Sequence, residues 1–338
     1  MNKFTKRASL VLAGAMCFGL LAGCGTIGGG SSANPENTNE AGTKYKIGVV
    51  AKTYGNPMFR EIAYGASQAG KVLGVDIVNQ ATQQEGQIAE QIALCEDLIV
   101  GGVDALVVTP QHSDGIAAAV DAAHAANIPF IAVDTAVNGA DVECFIGMDN
   151  VDAGYAVAKM VAEKIGGQGN VIVLKGMAGA STSEERTEGY LKALAEYPGI
   201  TVVGTQNADF EQSKGQQVTG DLLQANKDIK AVVACNDLMA LGAIIALEEN
   251  GYTPGEDVIV GCYDISVPCM EAIQAGQIYV TGYHWAKLYG YWGVQMAVDY
   301  LDGNQIPKHI TSPHSEVTAE NVDSYLAFCQ MLADWTIP

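Results

Sequence analysis

One beat repeats from Lys46 to Gly282: a short unbroken apolar run, a turn, then an amphipathic segment. The runs lack the apolar–polar alternation of a half-exposed strand, so they read as strands buried on both faces. Strands of that kind, each followed by a helix, build parallel sheets wrapped on two sides. The first unit shows the logic. Lys46 to Ala51 is a strand, Thr53-Tyr54-Gly55-Asn56 a turn, and Pro57 sits where a helix loses no hydrogen bond to proline. The turn region carries Lys52, Tyr54, Asn56, Met58 and Phe59 at a strand's carboxyl end, the place where open α/β sheets take ligands. That mixture of hydrogen-bonding and flat apolar groups suits a small polar ligand, although an ordinary βα connection has the same outline.

Further strands are expected at 75–79, 104–109, 130–133 and 144–147, with helices at 84–100 and 113–126. From Asn150 the beat restarts, with a helix to 165 and strands at 170–175, 201–205, 231–234, 258–262 and 279–282. Helices are expected from 181 and at 212–225, 237–250, 267–276 and 288–302, after which the tail returns through 311–326. Two such layers in succession predict an α/β protein of two doubly wound, Rossmann-like lobes around a cleft. About 300 residues exceed one comfortable core and agree with two lobes. The expected division is 45–148 with 285–312, and 149–284 with 313–338. A three-stranded hinge would cross near 147–149, 282–285 and 311–315.

The amino-terminal residues follow a different rule. Lys3, Lys6 and Arg7 precede an apolar stretch, Ala8 to Leu20, that is short for a bilayer span. Leu21-Ala22-Gly23-Cys24 then resembles a bacterial lipoprotein box. The expectation is a signal peptide over 1–23, diacylation of the Cys24 sulfur, and a flexible tether over 24–44 rich in Gly, Ser, Asn and Thr. A plain secretory signal with a chance cysteine is the alternative. The expected protein is exported and held to the outer face of a membrane by lipid alone.

The chain carries a net charge of −20, and −23 once Lys3, Lys6 and Arg7 leave with the signal. Such a balance argues against nucleic acid as a partner. Of eight cysteines, Cys17 and Cys24 are accounted for; Cys95, Cys144, Cys235, Cys262, Cys269 and Cys329 fall mostly in apolar runs with no C-x-x-C pair. They read as free buried thiols rather than zinc ligands, although a disulfide is compatible with export. No cofactor or metal is expected. The sequence contains no G-x-S-x-G, H-E-x-x-H or P-loop string, so no enzyme is expected.

Six strings carry a resemblance: Asn56-Pro57-Met58-Phe59, Val133-Asp134, Glu184 to Tyr190, Ala208-Asp209-Phe210, Asn236 to Gly242 and Val260 to Asp264. In this order and spacing the chain resembles, from Lys46 to Asn304, the ribose-binding-protein-like periplasmic sugar-binding family. These are the type I substrate receptors of ABC importers. The resemblance implies that Asn56, Asp134, Arg186, Asn236 and Asp264 bond sugar hydroxyls, and that Phe59 and Phe210 stack on the ring faces. It also brings Lys52, Met58, Thr135 and His284 to the site, where Tyr54 is a candidate from the turn composition alone. Lys52 stands where a small hydroxyl residue is usual, Thr135 where the ribose receptors have arginine, Met58 where they have an aromatic, and His284 where they have glutamine. A lysine at that position resembles the receptors for the furanosyl autoinducer. Implied partners are a small neutral sugar or polyol and the permease and ATPase subunits, with the receptor itself a monomer.

Plainer roles stand beside these. Asp134 and Asp264 could cap helices, Arg186 could be a solvated helix residue, and His284 a satisfied core histidine. A transcription regulator of the Lac repressor type shares the two-lobed fold, but would carry a helix-turn-helix where this chain has a signal and tether. A sensor presenting ligand to a chemoreceptor or kinase fits the same sequence.

Overall fold

The computed structural model describes residues 44–338. The expected signal peptide, Cys24 and the tether as far as residue 43 lie outside the described residues.

The chain runs β1 (Lys46–Thr53), α1 (Pro57–Leu73), β2 (Asp76–Thr82), α2 (Ile88–Val100), β3 (Ala105–Val108), α3 (Ala117–Ala125), β4 (Phe130–Val133) and β5 (Cys144–Gly147). It continues through α4 (Asn150–Lys164), β6 (Gln168–Lys175), α5 (Ser181–Leu194), β7 (Gly199–Asn207), α6 (Gln212–Ala225), β8 (Ile229–Ala234), α7 (Asp237–Glu249), β9 (Ile259–Tyr263), α8 (Val267–Gln274) and β10 (Val280–Tyr283). The return segment is α9 (Ala286–Leu301), β11 (His309–Thr311), β12 (Ser315–Val317) and α10 (Val322–Asp334).

Two six-stranded sheets result, ordered β11-β5-β4-β3-β1-β2 and β12-β10-β9-β8-β6-β7. The second repeats the first strand for strand. Each pairing between these strands is parallel except the β10–β12 edge. Strands β3, β4 and β9, buried along their whole length, are unbroken apolar runs of the sequence, as sheets covered on both faces require. Helices α1 and α9 cover one face of the first sheet, and α2 with α3 the other. The second lobe closes around its own core. Close helix packing needs glycine: a Cβ on Gly65 of α1 would lie 1.8 Å from the Lys287 carbonyl at the start of α9. The six cysteines of the described residues are buried and free, small hydrophobes within these cores.

The chain passes from one sheet to the other between β5 and α4, between β10 and α9, and between β11 and β12. Side chains tie the last two passages together. Ser312 Oγ donates to Tyr289 Oη (3.1 Å), and Trp285 Nε1 donates to Ser315 Oγ (3.1 Å).

Two helix starts differ from expectation for a visible reason. The third helix begins at Ala117, not at Ser113. Ser113 is spent across the cleft: its N–H donates to Gly179 O (2.9 Å) and its Oγ accepts from Ser181 N (3.2 Å). Helix α2 begins at Ile88, not at 84, because Gln84 N donates to Gln87 Oε1 (2.7 Å) and Gly86 N to Gln111 Oε1 (2.9 Å), holding 83–87 as a loop. The tail ends in a helix, α10, where the sequence reading had only a returning segment.

Candidate functional site

Asp134 follows β4 and Asp264 follows β9, so the two carboxylates occupy equivalent places in the two lobes. Both are left-handed, with φ of +66° and +76°. A non-glycine residue held there costs about 1 kcal/mol or more, a strain that concentrates at functional sites. Each backbone N–H is anchored to the neighbouring strand, Asp134 to Ile146 O and Asp264 to Gly282 O, both at 2.8 Å. Neither caps a helix. The capping is done by Asn56, Asp149, Asn236 and Ser266, whose side chains accept from first-turn N–H groups of α1, α4, α7 and α8.

Lys52, near the end of β1, is only 2% exposed. Its ammonium stands 3.7 Å from Asp134 Oδ2 and lies between two aromatic faces, 5.6 Å from the centroid of Phe59 and 5.7 Å from that of Phe210. The rings expected to flank a sugar thus flank a lysine. Phe210 reaches this place because Gly176 has no side chain; a Cβ there would sit 2.1 Å from the Phe210 ring. Arg186 projects from α5 and is fixed on three sides. Nε donates to Asn150 Oδ1 (3.0 Å), Nη1 donates to Cys235 O (2.8 Å), and the guanidinium lies 4.1 Å from the Tyr263 centroid. Nη1 is 3.7 Å from Asp264 Oδ1. Burial pushes the Asp264 carboxyl above the usual range, with Arg186 pulling against it.

Lys52, Asn56, Met58, Phe59, Glu85, Asp134, Thr182, Arg186, Phe210 and Asp264 line one cavity between the lobes. It leaves ≈ 20 Å³ for the centre of a water-sized sphere. A wider mouth of ≈ 560 Å³ adjoins it, and Asn56, Glu85 and Phe210 border both spaces. Elsewhere the rim is shut by direct bonds between lobes: Ser113 to Gly179 and Ser181, and Ala136 N to Ser181 Oγ (3.0 Å).

Four residues singled out from sequence do not line the cavity. Asn236 Oδ1 accepts from Met239 N (2.9 Å) and Nδ2 donates to Phe210 O (3.1 Å), so it caps α7 and holds Phe210 in place. Thr135 Oγ1 donates to Asp134 Oδ2 (2.9 Å) from behind. Tyr54 turns to Gln80 O (3.2 Å). His284 is stacked between Tyr263 and Tyr289 at the hinge, 3.5 Å from Asp264 Oδ1. Burial, then Arg186, holds its imidazole well below the usual pKa. Two lining residues escaped the sequence reading, Glu85 and Thr182. Glu85 lies past the carboxyl end of β2, which was the available signal, but starting the helix at 84 hid it.

Residues 47–305 match the family described as "Periplasmic binding protein domain". The ribose import binding protein of Bacillus subtilis (strain 168) is 32% identical over 83% of this chain and 89% of its own length. A crystal structure of an ABC transporter periplasmic solute binding protein from Actinobacillus succinogenes 130z, with bound D-allose, superposes with a TM-score of 0.78 at 32% identity, covering 83% of this chain and 100% of that one. A solute binding protein from Bacillus halodurans C-125, with bound myo-inositol, gives 0.77 at 30% identity over 86% and 99%.

Proposed function

The chain belongs to the periplasmic binding protein domain family, in its ribose-receptor-like, sugar-binding group, and from that premise we propose that it captures a neutral monosaccharide or polyol between its lobes. It is a substrate-binding protein of an ABC importer. The relatives are import receptors, which favours uptake over a sensor presenting ligand to a kinase.

One observation carries the ligand class. Two cations, Lys52 and Arg186, and three carboxyls, Asp134, Asp264 and Glu85, ring a buried cavity, and the Lys52–Asp134 and Arg186–Asp264 pairs each stand at 3.7 Å, beyond hydrogen-bond length. Asp264 Oδ1 is buried with no hydrogen-bond partner among the described residues. Buried charges need bonds from somewhere. Sugar hydroxyls both donate and accept, so one ligand can serve Lys52, Arg186, Asp134 and Asp264 together. A sugar acid or phosphate would bring an uncompensated charge, at several kcal/mol per buried ion. The cavity is smaller than a monosaccharide, so binding must move the lobes or the side chains of Lys52 and Phe210. The Lys52 ammonium leaves the aromatic sandwich toward Asp134, and the sugar ring takes its place.

Calorimetric titration against D-ribose, D-allose, myo-inositol, other pentoses and hexoses, the furanosyl autoinducer, sugar acids and sugar phosphates tests the reading. A neutral member should bind best, and Asp264→Ala should weaken it at least about tenfold, or 1.4 kcal/mol. Best binding by a sugar acid or phosphate would make Lys52 an anion anchor and reverse the charge argument.

The Leu21-Ala22-Gly23-Cys24 string supports lipid anchoring at Cys24 after removal of residues 1–23. Among the described residues no helix is long and apolar enough to cross a membrane. Fractionation of cells making Cys24→Ala should move the protein out of the membrane fraction; retention there would count against the anchor.

A further inference from the structure

Glu85 lies on the loop between β2 and α2, and that loop is unusually well tied. Gln111 Nε2 donates to Lys52 O (2.9 Å) and Thr82 Oγ1 (2.8 Å), and Gln111 Oε1 accepts from Gly86 N (2.9 Å). Gln91 fixes Gln111 in turn, accepting from Gln111 N (2.8 Å) and donating to Thr109 O (2.8 Å). Thr53 Oγ1 donates to Gln83 O (3.2 Å). A loop pinned to the sheet in this way holds its carboxyl in a set position rather than letting it swing to solvent.

That position is the partition between the cavity and its mouth. Glu85 borders both spaces, beside Asn56 of its own lobe and Phe210 of the other. Asn56 Nδ2 donates to Glu85 Oε1 (3.2 Å), which leaves the second oxygen without a protein donor among the described residues. Lys52 stands against Asp134 and Arg186 against Asp264, so Glu85 is the fifth ionisable group of the site and has no ion pair of its own among the described residues.

We propose that Glu85 is a specificity-determining ligand contact. It bonds the hydroxyl that faces the mouth, and it makes the site select by charge, accepting neutral polyols and refusing sugar acids and sugar phosphates. The assignment rests on the sugar reading above and goes further, since it names the residue that sets the ligand's charge class. The carboxyl suits both tasks. Burial pushes it up to about 7, against Lys52 and the Asn56 bond, so near neutral pH it can donate to a hydroxyl or accept from one. An anionic substituent at the same point meets either a like charge or a carboxyl that must stay protonated to donate to it, so its binding carries the cost of a proton and weakens as pH rises above about 7.

The experiment is titration, at a pH of about 8.5 where the Glu85 carboxyl is ionised, of wild type, Glu85→Gln and Glu85→Ala with D-ribose, D-allose, myo-inositol, D-glucuronate and ribose 5-phosphate. Wild type should prefer its best neutral ligand over the acids by at least about a hundredfold. Glu85→Ala should weaken that neutral ligand about tenfold, and Glu85→Gln should restore it to within about threefold by keeping the bonds. Glu85→Gln should also narrow the neutral-to-acid ratio at least about tenfold. Unchanged neutral affinity in Glu85→Ala, or an unchanged ratio in Glu85→Gln, overturns the assignment while leaving the sugar reading intact. A wild type that binds no neutral member of the wider panel above sinks the sugar reading and the assignment with it.

Discussion

A single buried carboxyl away from the cavity sets part of the protein's response to pH. Glu61 of α1 is 2% exposed, accepting from Lys287 N (2.9 Å) and from the Tyr283 hydroxyl. Burial pushes it from 4.5 up to about 7, with those two bonds pulling down. Between these values the folded protein holds a proton that the unfolded chain has released. The stability this proton confers is therefore full below about 4.5 and lost as pH rises to about 7. The span corresponds to about 3 kcal/mol. Glu61→Gln keeps the shape and removes the titration. Urea unfolding at pH 5 and pH 8 should show wild type losing about 2.5 kcal/mol more than the variant, since part of the span already lies below pH 5. Asp264 and Glu85, raised by burial likewise, add slopes of the same sign that the variant leaves in place. Parallel profiles for the two proteins would mean that Glu61 does not titrate in this range.

The elements were largely written in the sequence because the buried strands are unbroken apolar runs and several helices start at a side-chain cap. Asn56 before Pro57, Asp149 before Asn150 and Asn236 before Asp237 are helix caps that sequence can show. What was hidden depended on contacts between distant parts. Ser113 looks like a cap in one dimension, but its bonds go to Gly179 and Ser181 in the other lobe. Polar residues at 83–87 look like a helix start until Gln111 is seen holding them as a loop. The charged ring of Lys52, Asp134, Arg186 and Asp264 was legible because strand ends of both lobes meet at one cleft. Asn236 sits at such an end too, where its cap bond and its bond to the Phe210 carbonyl set it behind Phe210 rather than among the lining residues. Helix α10 has no sheet partner to announce it; it is held by tertiary contacts to helices far away in sequence.

At the scale of the whole molecule, those same α10 contacts bear on how the lobes part. Cys329 and Leu332 are buried with the second lobe or its border, while the end of the helix grips α1 of the first. Arg60 Nη2 donates to Trp335 O (2.6 Å), Trp335 meets Tyr64 edge-on with centroids 5.3 Å apart, and Lys287 lies 4.4 Å from the Phe328 centroid. A ligand that bonds both lobes should pull them together, because the closed form alone satisfies all its contacts. Small-angle scattering should then show a smaller radius of gyration with saturating ligand; an unchanged radius would count against a closing clamp. Trp335→Ala separates the contribution of α10. If its grip on α1 favours the closed arrangement, the variant without ligand should be more open than wild type, while the two ligand-bound forms match. An aromatic pair of this kind contributes about 0.5–1.5 kcal/mol. The variant's affinity should fall by about two- to tenfold, since the ligand must now supply that part of closure. Equal radii for wild type and variant without ligand would place α10 at the pivot, moving with both lobes and favouring neither arrangement.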